Sequence, residues 1–203
     1  MRWYRLVLPA LVVALPVQAQ TRLSFAPQIG FYIPTEKLQS LATGTGTVDS
    51  LEGGIAFGAR IGATFGKHLG VSFSGNYVPT TYKLGTGSNL EKQDAKLFTG
   101  AGQLVVFLLP ITSPFTVFVN GGLGVVSRGG VAFTNAAKKR YMTGVVGAGA
   151  GLRLGGIGLS VGADLYNYNA DYIGTTQTTN KLKQKDVHLK FGLGIPFGMA
   201  AKR

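Results

Sequence analysis

Residues 158–162, Gly-Leu-Ser-Val-Gly, have the G-x-S-x-G spacing of a serine nucleophile elbow. Asp164, Asp186 and His188 follow in the chain order of a serine, acid and histidine triad, which would activate a hydroxyl for acyl transfer. An elbow requires a sharp turn from strand to helix, but Ser160 lies inside a segment of alternating apolar and small residues. Strand rise separates Ser160 from His188 by more than about 10 Å, whereas a base must lie within roughly 3 Å. The sequence therefore predicts no catalytic triad.

Charged residues within the alternating segments are a second kind of candidate site. Asp164 is the carboxylate that the pattern places deep in a strand, and Lys190 lies on the predicted neighbouring strand with its side chain on the same face. Because buried charges are normally paired, we expect Asp164 to contact Lys190, or Arg60 or Arg153 if the strands pair differently. With His188 added, the predicted polar network comprises Arg60, Arg153, Asp164, His188 and Lys190.

Composition excludes most metal and nucleotide chemistry. The chain has 203 residues, no cysteine and two histidines, which excludes a disulfide framework, thiolate metal sites and a histidine-rich site. The sequence contains no P-loop, no dinucleotide-binding G-x-G-x-x-G, no H-E-x-x-H and no EF-hand spacing. We therefore expect no metal and no other cofactor.

The first 20 residues have the organisation of a secretory signal peptide. Two arginines precede an apolar run at residues 6–17, and the small residues that a signal peptidase recognises follow at 17–19. The run is shorter than the roughly 20 residues that a membrane-spanning helix needs. We therefore predict a signal peptide at 1–20 and one domain at 21–203. Removal of the signal peptide lowers the formal charge from +12 to +10. Export from the cytoplasm argues against nucleic acid as a partner.

The rest of the chain is predicted to form β-strands, because its apolar residues recur at every second position. In residues 55–65 the odd positions are Ile, Phe, Ala, Ile, Ala and Phe, and the even positions are Ala, Gly, Arg, Gly and Thr. Each predicted segment is long enough for a tilted strand to cross a bilayer, which takes about 9 to 11 residues. The eight segments span residues 23–34, 53–66, 70–82, 96–109, 115–128, 140–154, 157–170 and 186–198.

The connections between these segments alternate in length. Those after the second, fourth and sixth segments are short, and the others are long and polar, at residues 35–52, 83–95, 129–139 and 171–185. Strict alternation collects the four long loops on one side of the sheet. Transmembrane barrels of bacterial outer membranes have this arrangement, with short periplasmic turns and long external loops.

Composition also indicates which face of the barrel points outward. Only 14% of the residues are charged, against about 25% in an ordinary soluble domain, and 45% are apolar. A lipocalin-like soluble barrel needs a charged outer wall, for which the polar face here is too small and too rich in glycine. We therefore expect the apolar face to contact lipid and the polar face to line a narrow, filled lumen. The predicted lumen residues are Gln28, Arg60, Asn76, Gln103, Asn120, Arg153, Asp164 and Lys190.

Aromatic residues on the apolar face fall near both ends of the predicted strands, as the two interfacial belts of a membrane barrel require. One belt lies at the short turns, with Phe25, Phe65, Phe115 and Phe197. The other lies at the long loops, with Phe31, Phe57, Tyr77 and Phe98.

With these features the chain resembles the small outer-membrane barrels of the OmpA/OmpX type over residues 21–203. Its last strand looks like the signal read by the outer-membrane assembly machinery, carried by Lys190, Gly192, Ile195 and Phe197. Family members usually end on that aromatic residue, whereas this chain continues to Arg203. The resemblance implies an all-β fold, an eight-stranded antiparallel up-and-down transmembrane β-barrel with short periplasmic turns and four long external loops.

The same resemblance implies an integral outer-membrane protein of structural or surface-interaction type, monomeric and not an enzyme. Its expected partners are outer-membrane lipids including lipopolysaccharide, whose phosphates attract the basic long loops, and the barrel-assembly machinery during biogenesis. Three alternatives stay open. The lumen could form a narrow porin-like channel, His188 could serve a lipid A modifying enzyme as in some small barrels, or the chain could be a soluble lipocalin-like barrel.

Overall fold

The structure is a computed structural model that describes residues 22–35, 38–39, 47–86, 89–134, 139–173 and 179–197. The predicted signal peptide lies outside these residues. A short 3₁₀ helix, Val131–Phe133, follows the seventh strand, and no helix in the described ranges is long and apolar enough to span a membrane. The strands are β1 (Arg22–Pro34), β2 (Leu38–Gln39), β3 (Thr47–Leu51), β4 (Gly54–Phe65), β5 (Leu69–Thr86), β6 (Asn89–Phe107), β7 (Phe115–Gly129), β8 (Arg140–Leu154), β9 (Ile157–Ile173) and β10 (Thr179–Phe197).

Eight of these strands form a closed antiparallel barrel, as the sequence predicted. Each of β4 to β9 pairs with the next strand along the chain, β1 pairs with β4, and the pairing of β1 with β10 closes the sheet. The short β2 and β3 are additional, since β3 pairs with the far end of β5 and β2 pairs only with β3. Closure leaves no exposed edge in the barrel wall.

The stagger of the strands fixes their tilt. A line of paired residues that starts at Ile195 on β10 crosses to Phe25 on β1, continues through every barrel strand, and returns to β10 at Lys185. The ten-residue difference between start and return is the shear of the barrel. Eight strands with this stagger tilt by roughly 45° and leave a lumen that side chains fill.

The outer wall is apolar, in agreement with the predicted orientation. Along β9 the outward side chains are Ile157, Leu159 and Val161, each close to half exposed. Outward positions become polar further along the strand, at Asn167 and Asn169. Seven of the eight predicted belt aromatics are exposed on this wall, and Phe65 is half-buried.

The longer connections differ from the plain loops expected at 35–52, 83–95, 129–139 and 171–185. β5 continues to Thr86 and β6 begins at Asn89, so most of 83–95 is a strand hairpin, and β9 and β10 likewise extend into 171–185. The β6 extension persists because Ala95, an inward side chain of this extension, is buried in an apolar core at this end. We call this the hairpin end, and the opposite end, with connections 66–68, 108–114 and 155–156, the turn end.

An ion pair fastens the first hairpin-end connection to the barrel. Lys83 on β5 contacts the Glu52 carboxylate, and Thr80 donates a hydrogen bond to the Glu52 carbonyl oxygen. The hydrogen bond from Lys83 lowers the pKa of Glu52. This contact aligns β3 with β5 and carries Leu51 into the apolar core.

Candidate functional site in the barrel lumen

The charged centre of the lumen is built around Asp164 on β9. Lys190 Nζ lies 2.5 Å from Asp164 Oδ2, and Asn120 Nδ2 donates a hydrogen bond of 2.8 Å to Asp164 Oδ1. Arg60 approaches the same carboxylate from β4, with its Nη2 atom 4.0 Å from Oδ2. One carboxylate therefore faces two cations inside the barrel, and its side chain and that of Lys190 are almost entirely buried.

Strand pairing and glycine placement together create room for this centre. Asp164 pairs with Gly147 on β8 and with His188 on β10, so its inward neighbours come from both sides. A Cβ atom at position 147 would collide with the Asp164 carboxylate and approach Asn120 Nδ2 at 3.0 Å. The glycine at this position thus provides the space in which the Asp164 and Asn120 side chains meet.

His188 lies in the same lumen but is not joined to the charged centre by a hydrogen bond. It is completely buried, and its ring packs between Tyr32 and Tyr166, with centroid distances of 5.2 and 4.9 Å. Neither ring nitrogen has a hydrogen-bond partner among the described residues. The ring therefore fills space between two aromatic side chains and has no substrate-accessible surface.

Ser160 and His188 do not form a catalytic pair. Ser160 pairs with Gly192 on β10, four residues from His188, which corresponds to about 13 Å along a strand. Ser160 Oγ donates a weak hydrogen bond of 3.4 Å to the Gly192 carbonyl oxygen. The G-x-S-x-G spacing is thus part of a regular strand in which glycines face the narrow lumen.

Arg153 does not join the other predicted network residues. It lies one residue from the end of β8 at the turn end, where its side chain is exposed, while Arg60, Asp164, His188 and Lys190 lie further inside. Its backbone N–H donates to the Pro114 carbonyl oxygen. Alternation predicted its face correctly, but its position along the strand places it at the mouth of the lumen.

A second buried ionic cluster lies at the hairpin end and was not predicted from the sequence. Arg128 on β7 donates a hydrogen bond of 2.8 Å to the Tyr168 hydroxyl, which donates in turn to Asp186 Oδ2 at 2.6 Å. The guanidinium also lies 5.4 to 5.7 Å from the ring centroids of Phe133, Tyr141 and Tyr168. Arg128 has the same strand parity as Asn120, and this was the signal that could have identified it.

Between the two clusters, one layer of side chains fills the cross-section of the barrel. All eight barrel strands contribute a residue to it, and each of these residues is at most 2% exposed. We call this set the occluding layer. Its members are Tyr32, Ala56, Val78, Leu97, Val126, Val145, Tyr166 and His188. Within this layer, Leu97 and Val126 lie slightly nearer the hairpin end. A polar lining was expected throughout the lumen. The structure instead has mainly polar side chains in the turn-end half, and at the hairpin end an apolar core that surrounds the Arg128, Tyr168 and Asp186 cluster.

The predicted last-strand signal residues occupy both faces of β10. Lys190 and Gly192 are buried and face the lumen, while Ile195 and Phe197 are exposed on the outer wall. No group of three or more histidine, aspartate or glutamate side chains in the described part of the chain is arranged to hold a metal ion.

Comparisons with known proteins agree on the fold. No family model and no curated protein sequence matches the chain. The crystal structure of OprG from Pseudomonas aeruginosa is similar, with a TM-score of 0.59 and 13% identity over 89% of this chain and 97% of that one. The E. coli outer membrane protein W has a TM-score of 0.57 and 15% identity over 89% and 100%. Neisserial surface protein A has a TM-score of 0.52 and 12% identity over 88% and 98%.

All three of these structures are bacterial barrels of similar size, and each is covered almost completely by this chain. At such low sequence identity the similarity concerns the fold and not a shared activity. The closed sheet of eight strands and the apolar outer wall are features of the chain itself. The chain thus has the closed eight-stranded fold that these small outer-membrane barrels share.

Proposed function

We propose that this protein is an integral outer-membrane barrel of structural or surface-interaction type, whose lumen is sealed and which acts through its hairpin end. The observation that carries the proposal is the occluding layer, because side chains at most 2% exposed leave no aqueous path between the two ends. Its apolar wall supports insertion into a bilayer, since an outer face of this kind is stable only against lipid.

Planar-bilayer recording of the refolded protein tests the sealed lumen against the channel alternative. We expect no conductance steps above the background of an empty membrane. Replacement of Tyr166 and His188 by glycine is the positive control, because it removes two large side chains of the occluding layer and is expected to produce steps. Regular steps from the unmodified protein would favour the porin-like channel instead.

Fractionation of expressing cells tests the location. We expect the protein to co-sediment with outer-membrane porins and to migrate differently on gels with and without heating, as folded membrane barrels do. Intact mass is expected to show cleavage after Ala19 or Gln20, which would support the predicted signal peptide. Recovery in the soluble periplasmic fraction would favour the lipocalin-like alternative.

Basic side chains just beyond the apolar wall favour lipopolysaccharide as the lipid partner. Outward-facing cations occur on three strands at the hairpin end, where the wall changes from apolar to polar, and all are exposed: Lys96, Arg140, Lys183 and Lys185. We call these residues the basic girdle. Anionic headgroups attract such residues by about 1 kcal/mol for each Lys or Arg.

Replacement of all four girdle residues by glutamine tests this contact. We expect weaker binding of the refolded barrel to lipopolysaccharide-containing vesicles and unchanged binding to neutral ones. Lys67→Gln in the opposite, turn-end connection is the matched control. Equal binding by the girdle variant and the unmodified protein would contradict the role of the girdle.

Mass spectra of lipid A test the enzymatic alternative. We expect the same spectra from cells that express the protein and from cells in which its gene is deleted, and a new lipid A species would favour the enzymatic alternative.

A further inference from the structure

The turn-end half of the lumen contains a cavity of about 210 Å³. It is lined by residues of most barrel strands, among them Arg60, Ser72, Thr116, Phe118 and Arg153. Arg153 is exposed at the mouth, while Ser72 is 3% exposed in the interior. The cavity therefore leads from the turn end of the barrel to the guanidinium of Arg60.

The charges around the inner end of this cavity do not balance. Asp164 supplies one negative charge, and Lys190 takes it up through a direct contact of 2.5 Å. Arg60 lies 4.0 Å from the same carboxylate, which is beyond hydrogen-bond distance, and its guanidinium lies 5.8 Å from the Phe118 ring centroid. A positive charge in a low-dielectric interior requires a partner, so one cationic group here is left without its own counter-charge.

Hydrogen-bonding groups around Arg60 are also left unpartnered. Arg60 Nε is buried without an acceptor among the described residues, and the buried hydroxyl of Ser72, which lines the cavity, has no partner there either. Buried polar atoms of native proteins are nearly always hydrogen-bonded. Arginine offers only donors, in a planar fork that fits two oxygens of one anion.

We propose that this cavity binds a small tetrahedral oxyanion of the phosphate or sulfate class, which enters from the turn end and is held by Arg60 and Ser72. The volume holds several groups the size of a water molecule, each occupying about 30 Å³, so a five-atom oxyanion fits with part of its hydration. Arg153 at the mouth adds positive charge along the entry path and attracts the anion before it is bound.

Calorimetric titration of the refolded full-length barrel with sodium phosphate tests the site. The protein is held in a maltoside detergent, which carries no phosphate, and sodium chloride keeps the ionic strength constant. We expect saturable binding with one site per barrel. Arg60→Gln is expected to weaken binding at least about tenfold and Ser72→Ala by a smaller factor, because hydrogen bonds between charged partners contribute more than neutral ones. Arg153→Gln is expected to weaken binding by a smaller factor than Arg60→Gln, because Arg153 is exposed to solvent at the mouth of the cavity.

Lys67→Gln is the matched control, because it removes a positive charge from the same end of the barrel without touching the cavity. The proposal is overturned if the unmodified protein shows no saturable binding, or if Lys67→Gln weakens binding as much as Arg60→Gln. If Arg60→Gln fails to fold, Arg60→Lys and Ser72→Ala carry the same test, since both keep the charge of the site.

A parallel titration with short-chain phosphatidic acid separates a free anion from a lipid headgroup. The interior position of Arg60 leads us to expect that free phosphate binds and that the lipid does not compete with it. Displacement of bound phosphate by the lipid would contradict the proposal that the site binds a free anion. The conductance measurement is independent of this result, so failure of the anion site and failure of the sealed barrel are distinguishable.

Discussion

Lys190 and Asp164 form a direct ion pair inside the barrel, with 2.5 Å between Nζ and Oδ2. The two residues lie on adjacent strands but are not directly opposite, because Asp164 pairs with His188. The lysine reaches diagonally across two residues of β10 to the carboxylate. Asn120 and Arg60 approach the same carboxylate from β7 and β4, so four of the eight strands are linked through Asp164.

Asp164→Asn is expected to destabilise the barrel more than Lys190→Met. Removal of the carboxylate leaves the buried Lys190 and the partly exposed Arg60 without a counter-charge, whereas removal of the lysine leaves Asp164 facing Arg60. Leaving a buried charge without its partner typically costs about 3–5 kcal/mol, and we expect a loss of this size for Asp164→Asn. Lys190→Met should cost clearly less. Urea unfolding in lipid vesicles measures both values, and the double variant should recover part of the loss. A larger cost for Lys190→Met would contradict the shared-carboxylate arrangement.

Gly147→Ala is expected to destabilise the barrel because its Cβ atom would collide with the Asp164 carboxylate. Overpacking of this kind typically costs about 1–3 kcal/mol. Gly144→Ala is the matched control on the same strand, since Gly144 is exposed and a Cβ there has no atom within 4 Å. The control should be neutral or slightly stabilising, because alanine restricts the unfolded chain. Unfolding free energies that are equal for the two variants would contradict the role of Gly147.

Alternation predicted the barrel because one physical requirement, lipid outside and a filled lumen inside, acts on every second residue of each strand. Where both faces of a strand are apolar, this requirement does not show which face points to lipid and which to the lumen. In β6 the inward Leu97 is as apolar as the outward Leu104 and Phe98, because the lumen at Leu97 is itself an apolar core. The sequence therefore could not show that an apolar core surrounds the Arg128 and Asp186 cluster at the hairpin end of the lumen.

Position along a strand was harder to predict than the face of a strand. Arg153 has an inward parity like Asp164, but its place near the end of β8 makes it exposed. Arg128 and Asp186 lie near the opposite end and are buried, because the strand extensions and the 3₁₀ helix cover them. Such differences depend on the barrel stagger and on contacts between distant segments, which periodicity does not contain.

Arg128→Gln is expected to loosen the 3₁₀ helix at the hairpin end. Arg128 holds Tyr168 by a hydrogen bond and lies against the Phe133 ring, so its loss removes both contacts. Amide hydrogen exchange of Phe133 and Thr134, whose N–H groups bond within this turn, should become at least about tenfold faster. Lys96→Gln, which removes an exposed charge from the same end, should leave these rates unchanged. Unaltered exchange in Arg128→Gln would show that the helix is held by other contacts.

The stability of the variant Leu104→Arg is expected to show whether the outer wall of the barrel faces lipid or water. Leu104 is 55% exposed on the outer wall of β6, between Val106 and Phe98, so its side chain lies within the apolar zone. A lipid-facing arginine near the bilayer midplane destabilises a membrane barrel by about 2–4 kcal/mol, and near the interface by about 0–1 kcal/mol.

Met142→Arg is the matched comparison, because Met142 is 71% exposed and lies two residues from Arg140, where the wall becomes polar. Refolding free energies in vesicles should therefore fall strongly for Leu104→Arg and hardly at all for Met142→Arg. A water-facing wall would reverse the expectation, since exposed arginines in water cost little and improve solubility. Equal stability of the two variants, with both recovered in soluble form, would contradict membrane insertion by this face.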